Sequence, residues 1–330
     1  MSSAEPDARD RSSASTRTGA ALHEVSPERA ARVGDRVLLV LLVPLAALTW
    51  WFVSSLPALL ERMFAVLEGL GRVGGGVTGP EPGLLALPLL GWPPTFVSGA
   101  LLGGVLAGLL ARPADPARRR AAAGATVGGV LAGLVVVLAQ AFAELDEAAT
   151  SPFTPWSGTA MAVTLVLVSL LGWGAGTGAL GGRTGTGIAL GVVAGTLPAW
   201  LAGSAFAVLG PGSLGPGFDL GWTTWIGVAV LVGALVTVGL RPVSRLARWL
   251  LVVGVAWTAL PLAWSLQVLV PTVVNSTGTG PMGGRLPSPW QVLQDALLDG
   301  PGRPLPLVAA LVVAAGIAAV RARAAAPPGR

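Results

Sequence analysis

Apolar residues fall in eight long blocks, at 37–60, 94–111, 121–143, 158–180, 186–209, 223–240, 249–270 and 305–320. None of the blocks alternates with period two, and polar side chains inside them are scarce. Most are close to the roughly 20 residues that an α-helix needs to cross a hydrocarbon core of about 30 Å. Inside such a core each backbone N–H and C=O must be paired within its own segment, which leaves helices as the solution for separate apolar blocks. The pattern predicts an all-α integral membrane protein, a polytopic bundle of about eight transmembrane helices. The last block is short and is expected to borrow length from 322–326, with Arg321 and Arg323 reaching back to the interface.

Two of the blocks share a signature. Residues 99–109 read GALLGGVLAGL and residues 124–134 read GATVGGVLAGL. Positions three and four apart share a helix face. Gly99, Gly103, Gly104 and Gly108, and again Gly124, Gly128, Gly129 and Gly133, therefore make broad faces with almost no side chain. In water this glycine content would weaken a helix by about 1 kcal/mol per residue relative to Ala. In a membrane it permits close backbone approach and dispersion contact. The expectation is a helical hairpin with Gly/Ala-rich interfaces, in which Gly104→Leu and Gly129→Leu are each destabilising.

Charge orients the chain. All 21 basic residues are arginine, and 17 of them fall in the N-terminal tail, the 112–120 turn, at Arg183, in the 241–248 turn and in the C-terminal tail. The alternate loops carry only Arg62, Arg72, Arg285 and Arg303, together with nine of the 16 acids. By the positive-inside rule, both termini are expected in the cytoplasm of a cell-membrane protein. The expected organisation is a disordered tail at 1–35, a membrane domain at 36–322 and a short tail at 323–330. On the outer side, the loop at 271–304 is expected to hold a short amphipathic helix at 289–299, started by Ser288-Pro289 and lying on the membrane surface. Trp92, Trp156, Trp222, Trp225 and Trp264 fall near that outer boundary, as an aromatic belt would place them.

Composition removes several functions. The chain is 53% hydrophobic and 11% charged, with a mean hydropathy of +0.72. The pI near 11.4 reflects arginines between spans, so no nucleic-acid partner is expected; the expected partners are the lipid bilayer and other membrane proteins or further copies. The arginine-only basic set with abundant Gly and Ala fits GC-rich, bacterial-type coding. There is no Cys, and the single His is His23 in the polar tail. A Ser–His protease, an HExxH zinc site and a thiol nucleophile therefore lack their key side chains. The eight spans contain no Asp, Lys, Arg or His, whereas charge-coupled pumps generally hold ionisable groups at mid-membrane. No cofactor is expected.

The candidate sites are accordingly few. Gln140, Glu144, Asp146 and Glu147 gather at the outer end of the third block, as a cation-attracting mouth or simply as an exposed acidic loop. Pro44, Pro198 and Pro261 sit inside spans and free backbone carbonyls, as in the broken helices of transporters. Thr159, Thr164, Ser169, Thr177, Thr196, Ser204, Thr258, Ser265 and Gln267 could line a path, although hydroxyls in spans more often bond their own helix or a neighbour. Gly176, Gly178 and Gly181 match GxGxxG without the strand a dinucleotide site needs. Asn275-Ser276-Thr277 fits a glycosylation acceptor. The leading expectation is a non-catalytic membrane subunit or scaffold of a cell-envelope assembly. The alternative is a permease or channel for a neutral or apolar solute. The third is a lipid-modifying enzyme working through Asp219, Asp295, Asp299, Arg285 and Arg303.

Overall fold

The computed structural model describes residues 27–71, 94–148, 154–209, 221–239, 246–276, 288–298 and 304–324. These form α1 (Pro27–Gly71), α2 (Pro94–Leu109), α3 (Arg119–Ala148), α4 (Thr154–Gly178), α5 (Arg183–Leu209), α6 (Gly221–Val238), α7 (Leu246–Ser276), α8 (Pro289–Leu298) and α9 (Pro304–Ala324). Single 3-10 turns at Pro116–Arg118 and Ala179–Gly181 lead into α3 and α5. No strand occurs among the described residues. Among the described residues, six helices are long and apolar enough to cross a membrane, and two shorter apolar helices, Thr95–Leu109 and Leu305–Arg321, occupy the second and last blocks. The protein is an all-α polytopic membrane bundle.

Contacts divide the chain into a small unit, Met1–Leu38, and a large one, Leu39–Arg330. In the small unit only the first turns of α1 are described. They are helical from Pro27, a residue whose fixed φ suits the first helical position. In the large unit, a short helix occupies Pro289–Leu298. Its start is a capping box, with the Ser288 Oγ accepting the Trp290 N–H (3.2 Å) and the Gln291 side chain accepting the Ser288 N–H (3.1 Å). The helix packs on α7 with Leu293 and Leu297 half-buried and Trp290 turned outward.

At the centre of the large unit lies α2, which at 16 residues is only about 24 Å long. It packs most extensively on α4 and also meets α3, α5 and α7. Its Phe96, Val97, Ala100, Leu101, Leu102 and Val105 are all buried. A short helix tolerates this position because protein, rather than lipid, surrounds it. A second core joins α6, α7 and α9 around Leu235, Trp249, Val252, Ala310 and Ala314.

The glycine contacts give the direction of each helix. Gly99 lies against Ser54 and Gly103 against Trp50, so α1 and α2 are antiparallel. Gly104 meets Ser169 and Gly108 meets Thr177, so α2 and α4 are parallel. Gly187 and Gly191 meet Val252 and Gly195 meets Ala256, so α5 and α7 are parallel. The chain therefore runs back and forth, and the connections bearing Arg112–Arg120 and Arg183 share one end of the bundle with Arg248, whose Nη1 donates to the Thr184 Oγ1 (3.2 Å).

Candidate functional site

Three places in the large unit are candidates, and the first two hold residues singled out by sequence. They are the glycine seams, a groove beside two prolines, and a cavity at the arginine-bearing end.

The seams differ from the expected hairpin. A Cβ on Gly104 or Gly108 would run into the α4 backbone at Ser169, Trp173 and Thr177. Reciprocally, a Cβ on Gly172 or Gly176 would meet the α2 carbonyls of Leu101 and Val105. Two glycine pairs four residues apart thus interlock across α2 and α4, where the chains touch backbone to backbone. Gly99 and Gly103 use the opposite side of α2 for α1. On α3, Gly129 abuts Val43 and Ala46 of α1, and Gly133 abuts Ala47 and the Trp50 ring. Gly124 and Gly128 are exposed, and a methyl group added to either would meet nothing within 4 Å among the described residues. The two glycine runs therefore do not pack on each other. One is enclosed by α1 and α4, and the other gives half its small face to α1 and leaves half bare.

Polar groups in this region tie helices together. The fully buried Trp50 donates its indole N–H to the Ser169 Oγ (2.9 Å). Trp173 donates to the Thr126 Oγ1 (3.1 Å), and Trp200 to the Val53 carbonyl (2.8 Å). Thr164, Thr177, Thr196, Ser204, Thr258 and Ser265 each donate to the carbonyl four residues back. A hydroxyl in this state is satisfied by its own helix and offers little to a solute. Trp50 is a core residue.

The groove lies between α5, α6, α7 and α9 and measures about 330 Å³. Pro198, Gly227, Trp257, Pro261 and Trp264 line it, with Thr223 and Thr224. Proline has no N–H, so Pro198 leaves the Ala194 carbonyl without its helical donor. Gly227 packs against both that carbonyl and the Pro198 ring. The Trp264 Nε1 is buried with no hydrogen-bond partner among the described residues. Pro44, in contrast, is exposed on α1.

The expected cation mouth is only partly described. Gln140 is half-buried on α3, and its Oε1 is buried without a partner. Glu144, Asp146 and Glu147 continue the same helix, but their side chains lie outside the described residues. Among the described residues no group of three His, Cys, Asp or Glu side chains could hold a metal. Of the outer residues considered for catalysis, Asp295 is exposed on α8, and Asp219, Arg285, Asp299 and Arg303 lie outside the described residues. Asn275 and Ser276 are in the last turn of α7, and Thr277 lies outside the described residues.

Sequence reasoning missed the third place. A cavity of about 450 Å³ opens at the arginine-bearing end, lined by Arg112, Arg119 and Arg183 with Gly182, Thr186 and Thr237. Arg112 comes from the turn between α2 and α3, Arg119 is the first residue of α3, and Arg183 is the first residue of α5. Their shared side of the membrane, read from charge, was the available signal. Comparison of the chain with protein-family models, with curated proteins and with solved structures returned no match.

Proposed function

We propose that this chain is a non-catalytic membrane subunit that docks a transmembrane helix of a partner on the free face of α3, with its arginine-bearing end and both termini in the cytoplasm. The observation that carries this reading is the pair Gly124 and Gly128. They stand four residues apart, and Ala132 continues the row. All three are exposed, beside the exposed Leu131 and Val135. The other half of the same helix shows what such a row does when it has a partner, because Gly129 and Gly133 bring α3 against the α1 backbone. Small residues at this spacing let helices approach closely where lipid offers no hydrophobic drive. The satisfied hydroxyls and backbone-tight α2–α4 seam also fit a structural role better than a conducting one.

Gentle extraction followed by mass spectrometry of co-purifying proteins tests the proposal. A stoichiometric partner that is retained by the native chain and lost from Gly124→Leu and Gly128→Leu, with monomer stability unchanged, supports it. Release of a homo-oligomer by the same substitutions makes the partner a second copy. Purification as a monomer, indifferent to both substitutions, removes the reading. The groove at Pro198 and Pro261 favours a second reading, passage of a small apolar solute. Flux in proteoliposomes that Gly227→Leu abolishes would establish that reading.

A further inference from the structure

We propose that the cavity at the arginine-bearing end binds a phosphoryl group carried on a larger body, and that Arg112, Arg119 and Arg183 are its ligands. This goes beyond the α3 interface and does not depend on it. Among the described residues, the walls contain three guanidinium cations and no carboxylate. The one acid on the adjoining turn, Asp115, is exposed and already engaged: its carboxylate accepts the Ala117 N–H (3.1 Å) and caps the 3-10 turn.

Arg119 fixes the geometry. Its Nη1 donates to the Leu180 carbonyl (3.3 Å), which anchors the guanidinium across the mouth of the α4–α5 turn. Its Nε is buried and has no hydrogen-bond partner among the described residues. A buried donor on a cation is costly to leave unmade, and a guanidinium fork matches phosphate oxygens in planar, bidentate fashion. The opposite wall is shaped for an anion as well. Gly182 adopts φ +95°, a conformation glycine enters freely, and this turns the chain sharply into α5. The first intrahelical bond of α5 then runs from the Thr186 N–H to the Gly182 carbonyl (2.9 Å). The N–H groups of residues 183–185 precede it, and the helix dipole adds to the positive field there.

Size and position narrow the ligand. A cavity of about 450 Å³ lies within the range of small-molecule sites, about 300–1,000 Å³, and exceeds what a lone phosphate fills. Its level at the ends of α2, α4 and α5 is where lipid phosphates lie, and basic pockets between membrane helices take anionic headgroups. The same chemistry would capture a phosphorylated solute from the aqueous side.

Binding to the full-length protein in neutral detergent separates these sources. The probes are inorganic pyrophosphate, read by the melting temperature, and phosphatidylglycerol against phosphatidylcholine, read by native mass spectrometry. Saturable binding of either anionic probe is expected, and Arg112→Gln and Arg183→Gln should each weaken it about tenfold, the scale of one charge-assisted contact. Both side chains are exposed, so these variants are expected to fold; Arg119→Lys keeps the charge but loses the fork and should also bind more weakly. Arg321→Gln, at the far end of α9, should bind as the native chain does. Pyrophosphate binding alone names a soluble phosphate, and headgroup binding alone names a lipid. If neither probe binds, or if Arg321→Gln weakens binding as much as Arg112→Gln and Arg183→Gln do, the proposal is wrong.

Discussion

Helices α2 and α3 carry nearly the same eleven-residue sequence, yet the two runs live in different surroundings. In α2 every glycine of the run faces another backbone, with Gly99 and Gly103 toward α1 and Gly104 and Gly108 toward α4. In α3 only Gly129 and Gly133 do so, while Gly124 and Gly128 face outward. Glycine spacing sets how closely a neighbour can approach, but the neighbour's own surface decides whether it does. Gly172 and Gly176 of α4 answer the α2 run with a matching pair. No described helix answers the outer half of the α3 run.

The contrast can be broken by substitution. Gly104→Leu should have the largest effect, because rigid backbone at Ser169 and Trp173 stands where its side chain would go. Overpacking of this kind is expected to cost about 3 kcal/mol or more, seen as a collapse of the monodisperse peak in mild detergent. Gly129→Leu should follow at about 2–3 kcal/mol, since part of its obstacle is the Ala46 methyl group. Ser169→Ala should cost about 1 kcal/mol, by leaving the Trp50 N–H without its acceptor, and should shift the tryptophan emission. Smallest of all, Gly124→Leu and Gly128→Leu should change monomer stability by about 0.5 kcal/mol or less, measured by thermal unfolding in detergent. A large loss at Gly128 would erase the distinction between the two faces of α3.

Much of this architecture was legible in the residues. Long apolar blocks predicted the helices because a membrane leaves few other solutions. Ser288 and Pro289 announced the start of α8 because caps are local. Partner choice was not legible. The spacing of Gly104 and Gly108 names a face, but the α4 glycines that receive it lie more than 60 residues away in the chain. The arginine cavity was missed for a related reason: Arg119 and Arg183 were read as topology signals, and only folding shows that Leu180 and Gly182 bring them to one mouth.

The Trp50–Ser169 hydrogen bond spans 119 positions of sequence. During synthesis at about 5–20 residues per second, the acceptor emerges roughly 6–24 s after the donor. For that interval α1 resides in or beside the bilayer with a polar indole on the side that will become the core. The first helix made is thus among the last to settle, held open until the fourth arrives. The Trp50 contact of α1 can therefore be completed only once α4 has been made.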